Sequence, residues 1–219
     1  MRGGLVKAYT MTRWVTRKGR IAGLAAAATL ALSGCVSLGV EVPESLLTLS
    51  PEATAAVGSG AAVSGAASDR AIAVLTPEVP AKLDVLRVPV NVSATKIAYL
   101  EDAIWVEKPA RLFRRVLGET LRARSGEKAL LVLDSDDAPL GADTFLRGSL
   151  MEMSFDAAAG EVVVRYDAVR SDGKGQAITR RFEARESGVS ADALSVGPAL
   201  NRAANTVAQE VADWILQDA

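Results

Sequence analysis

Histidine is absent from this 219-residue chain, and cysteine occurs once. Without an imidazole there is no Ser-His-Asp or Cys-His catalysis and hardly any zinc site. A single cysteine excludes an internal disulfide. No G-x-x-x-x-G-K-[ST] loop occurs, so the chain carries no P-loop ATPase of its own. Basic residues are also scarce where nucleic acid would need them. The 25 basic and 26 acidic residues nearly balance, but six of the basic ones precede Cys35. The remainder, 19 basic against 26 acidic, leaves Cys35–Ala219 at a formal −7, a poor surface for phosphate backbones.

The basic residues that are present concentrate in a leader. Arg2, Lys7, Arg13, Arg17, Lys18 and Arg20 precede an uncharged run, 21–31, apolar but for Thr29, and then Leu32-Ser33-Gly34-Cys35. A basic start, a short apolar stretch and small residues at the cut make a secretory signal. The tetrapeptide resembles the lipobox of bacterial lipoproteins, in which the cysteine takes a diacylglycerol and, after cleavage, its freed amine is acylated as well. Met11 is an alternative start, since the residues after it still form a basic n-region. The competing reading is an uncleaved transmembrane anchor, because 21–40 holds no charge. Its most hydrophobic part is only about 11 residues, short for a span. Several acyl chains would anchor the protein stably. Val36 and Ser37 follow the cysteine, and the lack of the aspartate that commonly retains lipoproteins at the inner membrane favours the outer membrane, periplasmic face. The expected organisation is a signal peptide over 1–34, an acylated N-terminus and linker over 35–70, and a folded body over 71–219.

Residues 53–68 are almost entirely Ala, Gly, Ser and Val, with too little apolar bulk to offset ordering entropy, and read as a flexible linker. Just before it, Leu46 to Leu49 is a short apolar run suited to a small edge strand. In the body, 71–75 and 85–92 read as strands bent apart by Pro77 and Pro80, and 96–100 as a further extended piece. Pro109 opens a helix with Leu112, Val116, Leu117 and Leu121 on one face. The apolar run 129–133 reads as a central strand covered on both faces. Residues 144–155 form a long strand with a phase shift near Gly148, suggesting a bulge. Strands over 161–169 and 176–184 alternate cleanly. The last 25 residues make a helix striped by Leu200, Ala204, Val207, Val211 and Trp214. The order β-β-(β)-α-β-β-β-β-α predicts an α/β fold: a mixed, largely antiparallel sheet packed with two main helices in a single domain.

No catalytic constellation assembles from these residues. Ser93-Ala94-Thr95-Lys96 matches S-x-x-K, but in an extended stretch rather than at a helix start, and S-D-N and K-T-G are both missing. Asp134-Ser-Asp136-Asp137 begins like a calcium loop, yet Phe145 occupies the twelfth position, where a glutamate ligand belongs. Arg111, Arg114, Arg115, Arg122 and Arg124 share one helix and read as its wet face, with lipid headgroups or an acidic partner as the alternative. Trp105 and Trp214 read as core or interface anchors. No cofactor or metal is expected, and patterning alone points to a tethered periplasmic binding module.

The stretch 79–126 resembles the ABC-type transport auxiliary lipoprotein family. The residues that carry the likeness are Pro80, Leu83-Asp84, Arg87-Val88, Ile97-Ala98-Tyr99, Asp102-Ala103, Trp105 and Pro109, then Leu112, Leu117 and Ser125-Gly126. The turn between 155 and 164, the Trp-bearing last helix and the lipobox extend it over nearly the whole chain. The family usually has Tyr before Leu near its N-terminal strand, where this chain has Leu47-Thr48-Leu49. The resemblance implies a non-enzymatic accessory of an ABC transporter whose periplasmic subunit carries an MCE domain. It implies that such a system moves phospholipids or other hydrophobic molecules between the two membranes, with permease and ATPase on other chains. Tyr99, Asp102 and Trp105 are the candidate partner contacts, with core packing and helix capping as the competing reading of the same three. A homo-oligomer is compatible with this reading. The alternatives are a structural or envelope-assembly lipoprotein without a transport partner, and a lipid carrier with a cavity lined by residues such as Leu131, Phe155 and Trp214.

Overall fold

The strand signals converge on one seven-stranded mixed sheet. The computed structural model describes residues 45–60, 71–125, 130–134, 142, 144–172 and 174–217, all within one compact unit, Pro43–Ala219. In chain order these are β1 (Ala71–Val74), β2 (Arg87–Ser93), β3 (Lys96–Ile104), α1 (Pro109–Ser125), β4 (Leu131–Leu133), β5 (Thr144–Asp156), β6 (Glu161–Ser171), β7 (Ala177–Ser187) and α2 (Ala193–Gln217). The expected order and fold class are those observed.

The long strand β5 organises the sheet. One edge pairs antiparallel with β6 along its length, and β6 pairs with β7 in the same sense. The other edge is shared: β1 runs parallel to its first residues (Ala73 beside Phe145) and β2 parallel to its last (Val90 beside Phe155). β4 and β3 then close the two ends, beside β1 and β2. Both helices cover one face. Leu112, Phe113, Val116, Leu117 and Leu121 of α1 and Leu200, Ala204, Val207, Val211 and Trp214 of α2 are buried against Leu146, Leu150, Met153, Val162, Val164 and Tyr166. Phe113 meets Tyr166 edge-on at 5.2 Å, and Phe182 meets Trp214 at 5.7 Å. Asp192 caps α2, its carboxylate accepting from the Ser195 backbone N–H at 2.9 Å and the Ser195 hydroxyl at 3.0 Å.

Three local expectations need correction. The apolar run at 129–133 is not central: β4 lies at the sheet edge, and Leu131 and Leu133 are only partly buried. β1 is the strand buried along its length, and Ala71 and Ala73 face a second small apolar cluster that includes Leu131 and Phe145. An apolar run reports burial of its two faces and is silent about lateral neighbours. The phase shift in β5 falls at Met151, between the pairs Leu150–Tyr166 and Glu152–Arg165, rather than at Gly148. Gly148 is instead a close approach with φ 154°, where a Cβ would lie 2.0 Å from the Asp167 carbonyl oxygen. The third correction concerns residues 45–56, whose contacts follow.

Candidate functional site

Leu46 to Ala55 belongs to the folded body. Leu47 bridges in parallel to Trp105, its N–H donating to the Ile104 carbonyl (2.7 Å) and its carbonyl accepting from the Val106 N–H (2.8 Å). Leu49 is buried in the main core. The segment then runs along α2. The Ser50 N–H donates to Asn201 Oδ1 and the Glu52 N–H to Asn205 Oδ1, both at 2.8 Å. Asn205 Nδ2 returns a bond to the Ser50 carbonyl at 2.9 Å, and the Ala55 N–H donates to Glu119 on α1. Two asparagines four residues apart on one helix face thus act as a strand edge for an extended strap. Leu46–Leu49 reads in sequence as a small edge strand, which the Leu47 bridge matches, whereas composition places 53–68 in the linker and starts the body only at 71, because Ala, Ser and Thr bring little side-chain bulk. Leu47 and Leu49 attach by side chains in the core, and Ser50 to Ala55 by backbone groups, which composition does not record. The sequence trace of this strap was Asn201 and Asn205 set i, i+4 beside an Ala/Val stripe.

The three candidate contacts lie on the same part of the fold without forming one surface. Between the pairs Arg87–Ile104 and Pro89–Tyr99, β2 advances by two residues while β3 retreats by five, so β3 carries a wide bulge. Asp102 sits in that bulge with φ 54°, a left-handed conformation that aspartate tolerates better than most residues. Its side chain is exposed. Tyr99 is half-buried, with the Arg87 guanidinium 5.3 Å from its ring centre. Trp105 is 1% exposed and lies within the core, so its indole supports the β3–α1 junction from inside. Core packing is therefore the reading that holds for Trp105. Cys35, Leu32, Ser33 and Gly34 lie outside the described residues.

Other sequence candidates resolve into structure. Ser93 and Lys96 pair across the exposed turn of the β2–β3 hairpin, far from a helix start. Asp134 accepts from Arg122, its backbone carbonyl accepts from Arg114, and residues 135–140 lie outside the described residues. Arg111 and Arg115 pair with Glu107, and Arg124 pairs with Asp213, so the α1 arginines are engaged within the molecule. Burial lowers the affinity of the Arg122 guanidinium for its proton, while Asp134 and Glu119 raise it, and the net shift is upward. Leu131, Phe155 and Trp214 do not line a common cavity. Leu131 packs with Ala71 and Ala73, while Phe155 and Trp214 are tightly packed at 3% and 6% exposure.

The face of the sheet away from the helices is polar and internally paired. Lys82 Nζ contacts both Glu152 oxygens at 2.7 Å, and Asn91 Nδ2 bonds Ser154 Oγ at 2.9 Å and Glu152 at 3.3 Å. Ser154 also donates to Glu152 and is fully buried. On β6 and β7, Arg165 pairs with Glu183, Arg185 with Glu161 and Glu183, and Arg181 with Asp167. The hydrogen bond from Arg181 holds the Asp167 carboxyl below its ordinary range. Near the start of β5 this face carries an open groove of about 460 Å³, lined by Leu75, Phe145, Arg147, Ser171, Gln176 and Ala177. No group of three or more metal-ligating side chains gathers among the described residues, and none of their helices is long and apolar enough to cross a membrane. Such a surface is built to pack and pair.

The family model for the ABC-type transport auxiliary lipoprotein component matches residues 48–212, beginning within the strap. Two solved structures share the fold. A protein from Xanthomonas campestris is 14% identical, with a TM-score of 0.61, over 78% of this chain and 95% of that one. An uncharacterised protein is 17% identical, with a TM-score of 0.59, over 78% and 99%. No curated protein matches the chain.

Proposed function

Because the chain belongs to the family of ABC-type transport auxiliary lipoprotein components, we propose that it is the membrane-anchored accessory of an MCE-type ABC transport system. In this reading Cys35 is acylated after cleavage behind Leu32-Ser33-Gly34, and the acyl chains hold the protein in the outer membrane, facing the periplasm. The body docks on the transporter's periplasmic MCE subunit and, through it, joins the permease and ATPase. The cargo is phospholipid or another hydrophobic molecule that passes between the membranes. The observation that carries the reading is the family match over 48–212 combined with a lone cysteine directly behind a lipobox. The self-paired charges of the sheet face agree with a docking body. Tyr99 and Asp102, at the surface around the β3 bulge, are the proposed partner contacts, with Trp105 fixing the junction beneath them.

The test is recovery of the acylated, tagged protein from gently solubilised envelopes, with partners identified by mass spectrometry and Cys35→Ala run in parallel. Co-recovery of an MCE-domain protein with its permease and ATPase is expected, and is expected to fall with Cys35→Ala. Recovery of only peptidoglycan-associated or outer-membrane assembly proteins would replace the transport reading with a structural lipoprotein.

A further inference from the structure

Four of the large hydrophobic side chains that stand exposed among the described residues gather where the chain enters the body. Leu46 is 49% exposed, Leu86 44%, Val106 54% and Leu194 88%. Backbone hydrogen bonds join three of their segments: Leu47 to Ile104 and Val106, and Trp105 to Leu86. The fourth follows from the strap's register on α2. Leu47 lies against Gly197, Ser50 bonds Asn201 and Glu52 bonds Asn205, so one step back from Leu47 leads toward the first turn of α2, where Leu194 projects. Exposed aliphatics concentrated at one end of a monomer mark a surface that meets something apolar.

We infer that this end of the domain rests on the lipid leaflet that holds the acyl chains of Cys35. The inference depends on the acylation proposed above. The strap is what makes it specific. With 45–56 fastened to the body, only nine residues, 36–44, separate Cys35 from Ser45. Ten fully extended steps span at most about 33–36 Å. The point of entry is therefore held beside the leaflet, and the side chains surrounding it are Leu46, Leu86, Val106 and Leu194. The rim suits a headgroup layer. Two carboxylates beside the patch are already paired, Asp84 with Lys108 at 2.8 Å and Glu107 with Arg111 and Arg115, while Glu101 and Asp102 stand exposed farther along β3. Arg87, adjacent to Leu86, stacks over Tyr99, and long amphipathic side chains of this kind settle at the boundary between apolar and wet.

The test uses the full acylated chain in vesicles of phosphatidylethanolamine and phosphatidylglycerol that contain a lipid-borne quencher. With the Cys35 thiol acylated, an introduced cysteine is the one free thiol for a fluorophore. It is placed at Val106→Cys or, as control, at Ile178→Cys. Ile178 is 50% exposed and lies at the other end of β7 from the start of α2, roughly 30 Å along the strand. Quenching at 106 is expected to exceed that at 178 several-fold. Leu86→Ser with Leu194→Ser is expected to lower the seated fraction by about ten- to a hundredfold, since each of these exposed aliphatics contributes about three- to tenfold. All four substituted positions are exposed, so the variants retain the fold. Chains that fail to float with the vesicles would overturn both acylation and seating. Chains that float but quench equally at 106 and 178 would overturn seating alone. Shielding at 106 without lipid quenching, as a second copy or a protein partner would give, would overturn it as well.

Discussion

Asn205→Ala tests whether the strap belongs to the fold. Asn205 is 1% exposed, and its carboxamide accepts from the Glu52 N–H at 2.8 Å and donates to the Ser50 and Asn201 carbonyls at 2.9 Å. Alanine removes all three bonds. At a net contribution of about 1 kcal/mol each, the upper bound is about 3 kcal/mol. Ser50 and Glu52 are exposed, so water takes over their backbone groups in the variant. That reduces the expected loss to about 2 kcal/mol, equivalent to roughly a thirtyfold rise in strap opening. Native-state hydrogen exchange reads this directly at the amides of Leu47, Ser50 and Glu52. In the parent chain they should be protected, and in Asn205→Ala protection should fall by about thirtyfold at Ser50 and Glu52. Amides of β6 should change far less. Unprotected strap amides in the parent chain, or unchanged exchange in the variant, would refute the reasoning and restore these residues to the linker.

Four further outcomes follow from the sheet. Gly148→Ala forces a Cβ to 2.0 Å from the Asp167 carbonyl oxygen, so a loss of at least about 3 kcal/mol in urea unfolding, or failure to fold, is expected; a near-neutral result would contradict that geometry. Glu152→Ala leaves Lys82 without the carboxylate it contacts at 2.7 Å and buried Ser154 without its acceptor, and should cost about 2–3 kcal/mol. Arg185→Ala, on the exposed end of the β7 ladder, should stay within about 1 kcal/mol, and the same denaturation series compares the two. Arg181→Ala should raise the Asp167 pKa in a carboxyl NMR titration. Because the folded pKa lies below the ordinary 3.8, the stabilisation from this pair is complete above that value and disappears as pH falls through the folded pKa. An unmoved Asp167 titration would show that Arg181 is not the cause.

The legible parts of the fold were those written in side-chain period. α1 and α2 announce themselves through Leu112, Val116 and Leu121 and through Leu200, Val207 and Trp214, and β6 through Val162, Val164 and Tyr166, all buried as the pattern requires. What periodicity does not carry is the neighbour across a strand edge. That is why the apolar run of β4 read as central, and why Lys96–Ile104 read as a shorter strand than it is. The bulge around Asp102 turns the face of β3 within the strand, and the bridge from Leu47 extends the paired region to Trp105. At the site, the same limit applies. Tyr99, Asp102 and Trp105 stand out by residue type, yet the fold places Trp105 in the core and gives Asp102 a backbone task. Leu46–Leu49 is legible as a short edge strand, but Ser50–Ala55 is not, because a segment of small residues can be held by its backbone alone.

Fastening the strap changes the geometry that the proposed docking would have to satisfy. A linker running to residue 70 would let the domain sweep a wide shell and meet its partner in any orientation. With Cys35 acylated as proposed, nine intervening residues limit the separation to about 33–36 Å, which would keep the body near its leaflet and raise its effective concentration for a partner that approaches the same membrane. Seating on Leu46, Leu86, Val106 and Leu194 would also restrict rotation, so the paired charges of β5–β7 and the edge carrying Asp102 would present fixed aspects. The partner's affinity would then depend less on contact area, because part of the orientational entropy of docking is removed before contact. A modest self-neutralised surface is sufficient under that condition, and a freely tethered domain with the same surface would bind more weakly.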